Sequence, residues 1–393
     1  MKTEKQMLEG NIWKFYIYSA VGSLIFLFVP ILVIFFQAKG LTITQVMSLQ
    51  ALFALMVVIL EVPTGAVADI LGRKKTITLG TIFVGLGVAC YAFAESFLGF
   101  VFAEMLFAIG AALASGADTA ILYDTLKKLK KEKLFTKIVG RTTAIGFVAL
   151  AVASIIGSQL YTIDIHLPML AAIIPAIIAG VVVYSMHEPT KYNSKITIEN
   201  TVNTMKKSLR FVATHKQVKW LVLYASAFLA FDKAMFWLFQ PFFVSVGLGV
   251  TSIGWVFAVM SLIVAAGSLG AHKIEDAIGE KASLILMPAV TVIAFLFLSF
   301  ENLYWGVIAV ILGQFAWGYS TPVMGEYVNR HVSSKNRATV LSVQSLAMNL
   351  AAAVTLPFVG YIVDVYSLSQ AFMLSAFLLF SINIILYIVR KLS

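Results

Sequence analysis

Long apolar segments alternate with short polar ones along the whole chain. A helix that spans a bilayer needs about 20 predominantly apolar residues, and twelve segments reach that length. This pattern predicts an all-α, multi-pass membrane protein with twelve transmembrane helices. The segments, numbered here as spans one to twelve, lie near residues 12–36, 43–68, 76–94, 97–123, 139–161, 166–186, 218–246, 250–271, 282–300, 303–328, 338–363 and 367–389.

The basic residues are distributed unevenly about these spans. Twelve spans place both termini on the same side of the membrane. If that side is the cytoplasm, the cytoplasmic segments and adjoining helix ends contain 27 of the 29 Lys and Arg residues, and only Lys39 and Lys233 lie elsewhere. Basic residues accumulate on the cytoplasmic side of membrane proteins. The sequence therefore predicts that both termini are cytoplasmic.

The two sets of six spans repeat a short pattern. Shifting the chain by 207 residues places Asp69 on Asp276 and Gly72 on Gly279, each time after the second span of its set. Internal repeats of this kind are found in secondary transporters. We therefore predict three regions: an N-terminal six-helix bundle over 1–186, a cytoplasmic linker over 187–217 and a C-terminal six-helix bundle over 218–393.

The linker has a helical period of its own. Its apolar residues recur at spacings of three and four, and Lys and Arg residues lie around them. A basic amphipathic helix of this kind is expected to lie on the membrane lipid of the inner leaflet, as a tether or as a regulatory element. The apolar positions are Ile198, Val202, Met205, Leu209 and Val212.

Composition excludes an ordinary soluble domain. Hydrophobic residues make up 60% of the chain, charged residues make up 12%, and the mean hydropathy is +0.92. The net charge of +10 could suggest a nucleic acid partner, but the densest basic run, residues 127–137, lies between spans four and five. Membrane topology and contact with lipid head groups explain that position better, so we expect no nucleic acid. The single cysteine, Cys90, excludes an intrachain disulfide.

Motifs for several other chemistries are missing from the sequence. It contains no HExxH or CxxC spacing for a metal, no GxxxxGK[ST] loop for ATP and no G-x-S-x-G turn for a nucleophile. We therefore expect no metal, no cofactor and no enzymatic activity. Transport by this chain would draw on an ion gradient or proceed as facilitated diffusion.

A tight, charged loop follows the second span. Residues 61–75 read EVPTGAVADILGRKK, in which a glycine permits a tight turn and three basic residues follow at once. The loop resembles the signature between the second and third helices of the major facilitator superfamily of secondary transporters, G-x-x-x-D-x-x-G-R-[KR]-x-[KR]. The last basic position of that signature is Thr76 here. The matching residues are Gly65, Asp69, Gly72, Arg73 and Lys74.

The resemblance implies a fold of two pseudo-symmetric six-helix halves, a monomeric protein and a substrate site near the midplane between the halves. It also implies a cytoplasmic latch that must break during alternating access. An acid at the end of the fourth helix typically pairs with the loop arginine in this family, and either Asp118 or Asp124 could pair with Arg73. Asp69 would contact the start of the eleventh helix.

Charged residues within the spans are candidates for function. Asp232 and Lys233 lie at the middle of span seven and Glu104 lies in span four, whereas Glu326 is expected to pair with Arg330 one turn further on. A charge buried in a bilayer is costly and usually has a partner or a wet cavity. A carboxyl group in a low-dielectric cavity can load and release a proton near neutral pH. We predict that Glu104 and Asp232 couple transport to protons; a structural ion pair or helix-packing role is the alternative.

Polar and aromatic residues at similar depth are candidates for substrate binding. They lie on spans one, seven, ten and eleven, and the resemblance implies that the first, fourth, seventh and tenth helices line the cavity. Within span seven, Pro241 is expected to kink the helix. The candidates are Tyr18, Lys233, Phe236, Trp237, Gln240, Gln314, Trp317, Thr321 and Asn349.

The aromatic residues of span seven suit small amphipathic or cationic compounds, which favours proton-coupled efflux. Residues 61–65 and 114–124 are also similar to prokaryotic exporters of the multidrug and tetracycline type, which implies a prokaryotic plasma or inner membrane. The sequence differs from those of drug–proton antiporters in two features. Span five lacks their Gly-Pro motif, and span four lacks their arginine. The alternatives are a proton symporter that imports a sugar or organic anion, with Lys233 binding the anion, and a receptor that keeps the fold.

Overall fold

Helices make up nearly all of the chain that the structure describes. This computed structural model describes residues 3–189, 206, 209–332 and 337–392. The N-terminal part contains helices α1 (Glu4–Leu24), α2 (Leu32–Ala38), α3 (Ile43–Leu71), α4 (Arg73–Phe93), α5 (Phe97–Ala114), α6 (Ala117–Lys128), α7 (Phe135–Ile163) and α8 (Leu167–Tyr184). The C-terminal part contains α9 (Lys216–Ser245), α10 (Val250–Ser299), α11 (Leu303–His331), α12 (Arg337–Val365) and α13 (Leu368–Leu392).

The described residues contain 11 helical segments that are long and apolar enough to cross a membrane, and the 50-residue α10 is one of them. Its backbone leaves the helical region at Gly279. Tyr319 contacts both sides of this break: its hydroxyl lies 2.6 Å from Ser283 Oγ, and a Cβ placed on Gly267 would lie 3.2 Å from its backbone nitrogen. Sixteen residues of straight helix would measure about 24 Å. The chain therefore folds back within α10, which forms two spans, and the predicted twelve are confirmed.

The two turns that follow the second span of each set have the same backbone conformation. Gly72, between α3 and α4, has φ 90° and ψ 150°, and Gly279 has φ 75° and ψ 170°. A positive φ favours glycine because a residue with a Cβ would be strained there. The internal repeat predicted from the sequence thus recurs in the backbone.

The first predicted span is interrupted. Between α1 and α2 a short 3₁₀ segment covers Ile25–Ile31, with Pro30 inside it and Phe26 outside the helical region at φ −83° and ψ 18°. Proline has no N–H, and a non-helical residue breaks the ladder of backbone hydrogen bonds. Backbone groups at this break need other partners.

Packing divides the chain into two units. Unit 1 contains Met1–Leu32 and Met56–Thr201, and unit 2 contains Val33–Leu55 and Val202–Ser393. In this division the segment Val33–Leu55, which includes α2 and the first half of α3, packs with the C-terminal helices. The contacts that hold this segment are described below.

The end of the predicted linker packs on protein. Residues 209–214 are helical, and Leu209 is exposed whereas Val212 is buried. Val212 belongs to a cluster with Val218 and Val328. The remaining apolar positions of the predicted amphipathic helix lie outside the described residues; they are Ile198, Val202 and Met205.

Candidate transport site

Helix α9 contributes a buried acid to unit 2. Asp232 is 5% exposed near the middle of the helix, whereas the next residue, Lys233, is partly exposed. Phe236, one turn after Lys233, is also partly exposed, and Gln240 is fully buried. The helix therefore directs Asp232 and Gln240 into the unit and presents Lys233 and Phe236 on a more open face.

Three aromatic side chains surround Phe236 and form a cluster of four with it. The centre of its ring lies 5.2 Å from that of Trp237, 5.6 Å from Phe257 and 5.9 Å from Trp317, each in an edge-to-face arrangement. This is a preferred geometry of aromatic pairs. The contacts join α9 to α10 and α11, so the cluster is held by three helices.

The indole of Trp237 has an unused donor. Its Nε1–H is buried and has no hydrogen-bond acceptor in the part of the chain that the structure describes. Buried indole N–H groups usually have a partner. An acceptor from a bound molecule or a water would satisfy this one.

The predicted polar face of span ten lies on α11. Gln314 is buried, Trp317 is partly exposed and Thr321 is exposed. The face therefore opens progressively along the helix. The Thr321 hydroxyl donates a hydrogen bond to the Trp317 carbonyl at 3.2 Å. Through Trp317, the structure brings this face into contact with Phe236.

Gln240 makes a contact that the sequence does not indicate. Its side-chain oxygen accepts a hydrogen bond from the Val33 N–H at 2.8 Å. Val33 lies in the first turn of α2, directly after the break around Pro30, where the helix has lost its own backbone acceptors. This hydrogen bond explains why a glutamine is buried here, and no bound substrate is needed to explain it. The capping role is therefore an alternative to the substrate-binding role predicted for Gln240.

Glu104 lies in the core of unit 1. It is 2% exposed on α5 and shares a hydrogen bond with the hydroxyl of Tyr91 on α4. The Tyr91 ring in turn contacts Phe28 at 5.9 Å and Phe107 at 6.4 Å between ring centres. Tyr91 is the kind of partner expected for a carboxyl group at this depth.

Two further predicted residues have local contacts. Tyr18 is partly exposed on α1, with its ring 6.1 Å from that of Phe15. Asn349 is partly buried on α12, and its amide donates to the Ser345 carbonyl at 3.0 Å. This bond, to the preceding turn of its own helix, uses the amide nitrogen of Asn349 and does not involve the side-chain oxygen, which is an acceptor.

Arg73, at the start of α4, pairs with Asp124 on α6. Arg73 Nη1 lies 2.6 Å from Asp124 Oδ2, and their side chains are 21% and 19% exposed. Asp118 instead accepts a hydrogen bond from the N–H of the adjacent Thr119 at 2.5 Å. The structure therefore selects Asp124 from the two predicted partners.

Glu188 is a third member of this cluster that sequence reasoning missed. Its Oε2 accepts a hydrogen bond from the Lys74 N–H at 2.9 Å, at the N-terminus of α4, where negative charge is favoured. Burial raises the pKa of the Glu188 carboxyl, against the opposing effect of the backbone N–H groups and charges of Arg73 and Lys74. The Lys74 ammonium lies 4.8 Å from the centre of the Tyr184 ring. The signal in the sequence is a single acid directly after span six.

Unit 2 has ion pairs around the equivalent loop. Arg330 donates two hydrogen bonds to Glu275, at 3.0 and 3.1 Å, and two to Glu326, at 2.6 and 3.2 Å. The predicted pair with Glu326 is confirmed, and the bidentate pair with Glu275 is new. Directly after the turn in α10, Glu280 pairs with Arg390 at 3.3 Å. These contacts tie α10 to both α11 and α13.

Asp364, near the end of α12, caps the start of α3. Its carboxylate accepts hydrogen bonds from the N–H groups of Ile43 and Thr44 at 3.0 and 2.7 Å, and from the Thr44 hydroxyl at 2.5 Å. A Cβ placed on Gly360 would lie 2.9 Å from Thr44 Cα, so the helices approach too closely for a larger residue. The first N–H groups of a helix favour a negative partner. This contact, with the Gln240 bond to Val33, places residues 33–55 in unit 2.

Comparison with known proteins supplies the family. A family model described as the Major Facilitator Superfamily matches residues 15–239 and 222–392, which together cover most of the chain. The chain belongs to this superfamily. It is therefore a multi-pass membrane transporter of the superfamily type, for which a small-molecule substrate is expected, and membership favours transport over enzymatic activity.

Two curated relatives are transporters of the same superfamily. The chain is 26% identical over 256 residues to the MFS-type transporter YxaM of Bacillus subtilis, a match that covers 62% of this chain and 62% of the relative. It is 19% identical over 389 residues to the MFS-type transporter MJ1560 of Methanocaldococcus jannaschii, covering 97% of this chain and 98% of the relative.

A solved structure has the same fold. The crystal structure of a variant of the nucleoside transporter NupG matches with a TM-score of 0.85 and 11% sequence identity, over 96% of this chain and 98% of that chain. At this identity the likeness concerns the fold alone.

The matching residues of the superfamily signature all lie in unit 1. Gly65 is exposed on α3, Asp69 is partly exposed two residues before the end of that helix, and Gly72 makes the turn. Arg73 and Lys74 then begin α4 and contact Asp124 on α6 and Glu188, which lies four residues after the end of α8. The signature residues thus connect four helices of unit 1, namely α3, α4, α6 and α8, at one end.

Proposed function

We propose that the protein is a proton-coupled secondary transporter that exports small amphipathic or cationic compounds, with Asp232 as the proton-carrying group. The observation that carries this proposal is the burial of Asp232, 5% exposed near the middle of a membrane-spanning helix and one turn from an aromatic cluster. An ionised carboxylate at that depth is costly, and such residues in transporters typically relay protons or bind ions. Binding a proton removes the charge.

Alternating access would turn this property into coupling. If Asp232 meets water on one side of the membrane at a time, it can bind a proton on one side and release it on the other. A substrate that favours one protonation state then moves in exchange with the proton. Glu104 is the second proposed coupling residue. Its hydrogen bond with Tyr91 would have to change when Glu104 binds or releases a proton.

The aromatic cluster supports the proposed substrate class. Phe236, Trp237 and Trp317 offer ring faces and edges to planar or cationic groups. The Trp237 Nε1–H offers one hydrogen bond to a polar atom of the substrate. The exposed Thr321 hydroxyl is the proposed polar contact of this cluster, and the substrate-binding role of Tyr18, in unit 1, stays a prediction.

Two sets of contacts are proposed to alternate during transport. We assign the Asp364 cap on α3 to the outer side of the membrane, because the loop at residues 39–42 is outside in the predicted topology. We assign Arg73, Asp124 and Lys74 to the cytoplasmic side, together with Asp69. Each set would be intact when its side of the transporter is closed.

Lys233 supports a second candidate function. Lys233, like Phe236, is partly exposed on the more open face of α9, where its positive charge would favour an anionic group and disfavour a cation. A proton symporter that imports a polar, planar metabolite or an organic anion would use Lys233 and the Trp237 donor together. The likeness in fold to a nucleoside transporter is compatible with such a substrate.

Proteoliposomes that contain a pH-sensitive dye test both candidates. With no gradient imposed, lipophilic cations, nucleosides, sugars and organic acids are added one at a time. We expect a lumenal pH change that depends on one class of compound. Its sign, read with the measured orientation of the protein, distinguishes export from import. The Asp276→Asn variant, which removes an exposed acid, should behave as the wild type. If no compound changes the lumenal pH although binding is still detected by thermal shift, proton coupling is contradicted.

A further inference from the structure

Unit 2 contains a groove away from the proposed transport site. It has a volume of about 470 Å³ and lies between α9, the second segment of α10 and α13. Apolar side chains form most of its wall, among them Leu284, Pro288, Val292, Phe380 and Ile384. Two of its lining residues are well exposed, Ile384 at 42% and Ile285 at 57%. The groove therefore opens along its side onto the surface of the unit.

One end of the groove is charged. Lys281 and Arg390 line it beside Trp220. The Arg390 guanidinium is held in place, 4.6 Å from the centre of the Trp220 ring and 3.3 Å from Glu280 Oε1. Glu280 balances one of the two positive charges, so this end carries one excess positive charge. Such a site favours an anion over a neutral or zwitterionic group.

The length of the groove matches one leaflet of a bilayer. From Lys281 to Val292 its wall follows eleven residues of helix, which measure about 16 Å. The hydrocarbon core of a bilayer is about 30 Å thick, so one leaflet contributes about half of that. Trp220 and the two cations lie at the end of the groove, as expected for residues at the membrane–water interface.

We propose that this groove binds one anionic phospholipid of the surrounding bilayer. The phosphate lies at Lys281 and Arg390, and an acyl chain lies along Leu284, Pro288 and Phe380. A soluble phosphate compound would leave the apolar wall uncovered, and a zwitterionic lipid would not use the excess positive charge. In the predicted topology this is the cytoplasmic leaflet, where anionic lipids attract basic residues.

Native mass spectrometry of the purified full-length protein tests the proposal. The protein is equilibrated with equal amounts of phosphatidylglycerol and phosphatidylcholine that have identical acyl chains. We expect the wild type to retain one phosphatidylglycerol in preference to phosphatidylcholine. A basic residue near an anionic lipid surface is worth about fivefold in affinity, so Lys281→Gln should lower that preference about fivefold, whereas Lys281→Arg should keep it. Lys273→Gln, an exposed cation outside the groove, is the matched control.

A second variant tests the apolar wall independently of charge. Ala289 lines the groove and is exposed, so Ala289→Phe should reduce the retention of both lipids, whereas Val259→Phe, at an exposed apolar position elsewhere on α10, should not. Melting temperatures in phosphatidylcholine nanodiscs verify that each variant is folded. Equal retention of the two lipids by the wild type, unchanged retention by Lys281→Gln and Ala289→Phe, or displacement of the lipid by inorganic phosphate alone would each overturn the proposal.

Discussion

Asp364 accepts two hydrogen bonds from Thr44, one from its backbone N–H at 2.7 Å and one from its hydroxyl at 2.5 Å. This contact links the start of the second span to the end of the eleventh. Truncation of the carboxylate leaves the first N–H groups of α3 without their acceptor, which costs about 1–3 kcal/mol for a buried or partly buried group. We therefore expect Asp364→Ala to increase the time that this contact is open.

Cysteine labelling measures the opening. Met47 is fully buried near this contact, so Met47→Cys, in a background where Cys90→Ala removes the native cysteine, should be labelled slowly by a membrane-impermeant maleimide added outside. Adding Asp364→Ala should accelerate labelling. Thr42→Cys, at an exposed position, should react quickly in both backgrounds, and Asp164→Asn is the control for loss of an exposed acid. An unchanged Met47→Cys rate would mean that the cap does not hold this side closed.

Arg73 and Glu280 occupy equivalent positions of the internal repeat, 207 residues apart, and carry opposite charges. Each is paired with an opposite charge from another helix of its own unit, Arg73 with Asp124 and Glu280 with Arg390. Half-buried pairs of this kind contribute about 1 kcal/mol. In a double-mutant cycle, Arg73→Gln with Asp124→Asn should cost about 1 kcal/mol less than the sum of the single variants. Strict additivity of the changes in melting temperature would show that the pair contributes nothing.

Arg330 bonds two carboxylates of very different burial. The Glu275 side chain is 3% exposed and the Glu326 side chain is 39% exposed. These acids raise the pKa of the Arg330 guanidinium, which stays charged. Because Arg330→Ala would leave Glu275 buried without its counter-charge, it should lower stability several times more than loss of the Glu326 pair does. Glu326→Gln should cost only about 0.5 kcal/mol, as for an exposed pair one turn apart. Thermal unfolding in detergent compares the two, and equal effects would contradict the account.

Glu188 makes stability depend on pH. A carboxyl whose pKa is raised on folding binds its proton more tightly in the folded protein, so its stabilising contribution is present in acid and is lost as the pH rises through the folded pKa. Glu188→Gln should therefore melt close to the wild type at about pH 4.5 and above it at about pH 7.5. The opposite order at the higher pH would show that attraction to Arg73 and Lys74 outweighs the cost of burial.

Much of this architecture could be predicted because the signals are local. The span count follows from hydrophobic length, and the turns at Gly72 and Gly279 follow from a charged glycine motif between apolar runs. The pair of Arg330 with Glu326 follows from the spacing of one helical turn. In each case the residues that make the signal lie close together in the chain.

The missed features depend on contacts between distant segments. Gln240 caps Val33 across 207 residues, and Asp364 caps Thr44 across 320. Helical periodicity indicates which face a residue occupies but not which backbone group on another helix is left without a partner. For the same reason the sequence indicated two candidates for the Arg73 partner, and only the packing of α6 against α4 selects Asp124.

The most direct test of the central proposal separates substrate movement from proton movement in Asp232→Asn. Exchange of labelled for unlabelled substrate needs no net proton transfer, whereas accumulation driven by a pH gradient does. We predict that Asp232→Asn, reconstituted beside the wild type and Asp276→Asn, keeps exchange but loses pH-driven accumulation to the level of protein-free liposomes. If Asp232→Asn retains both activities, Asp232 does not carry the proton and the proposed coupling is wrong.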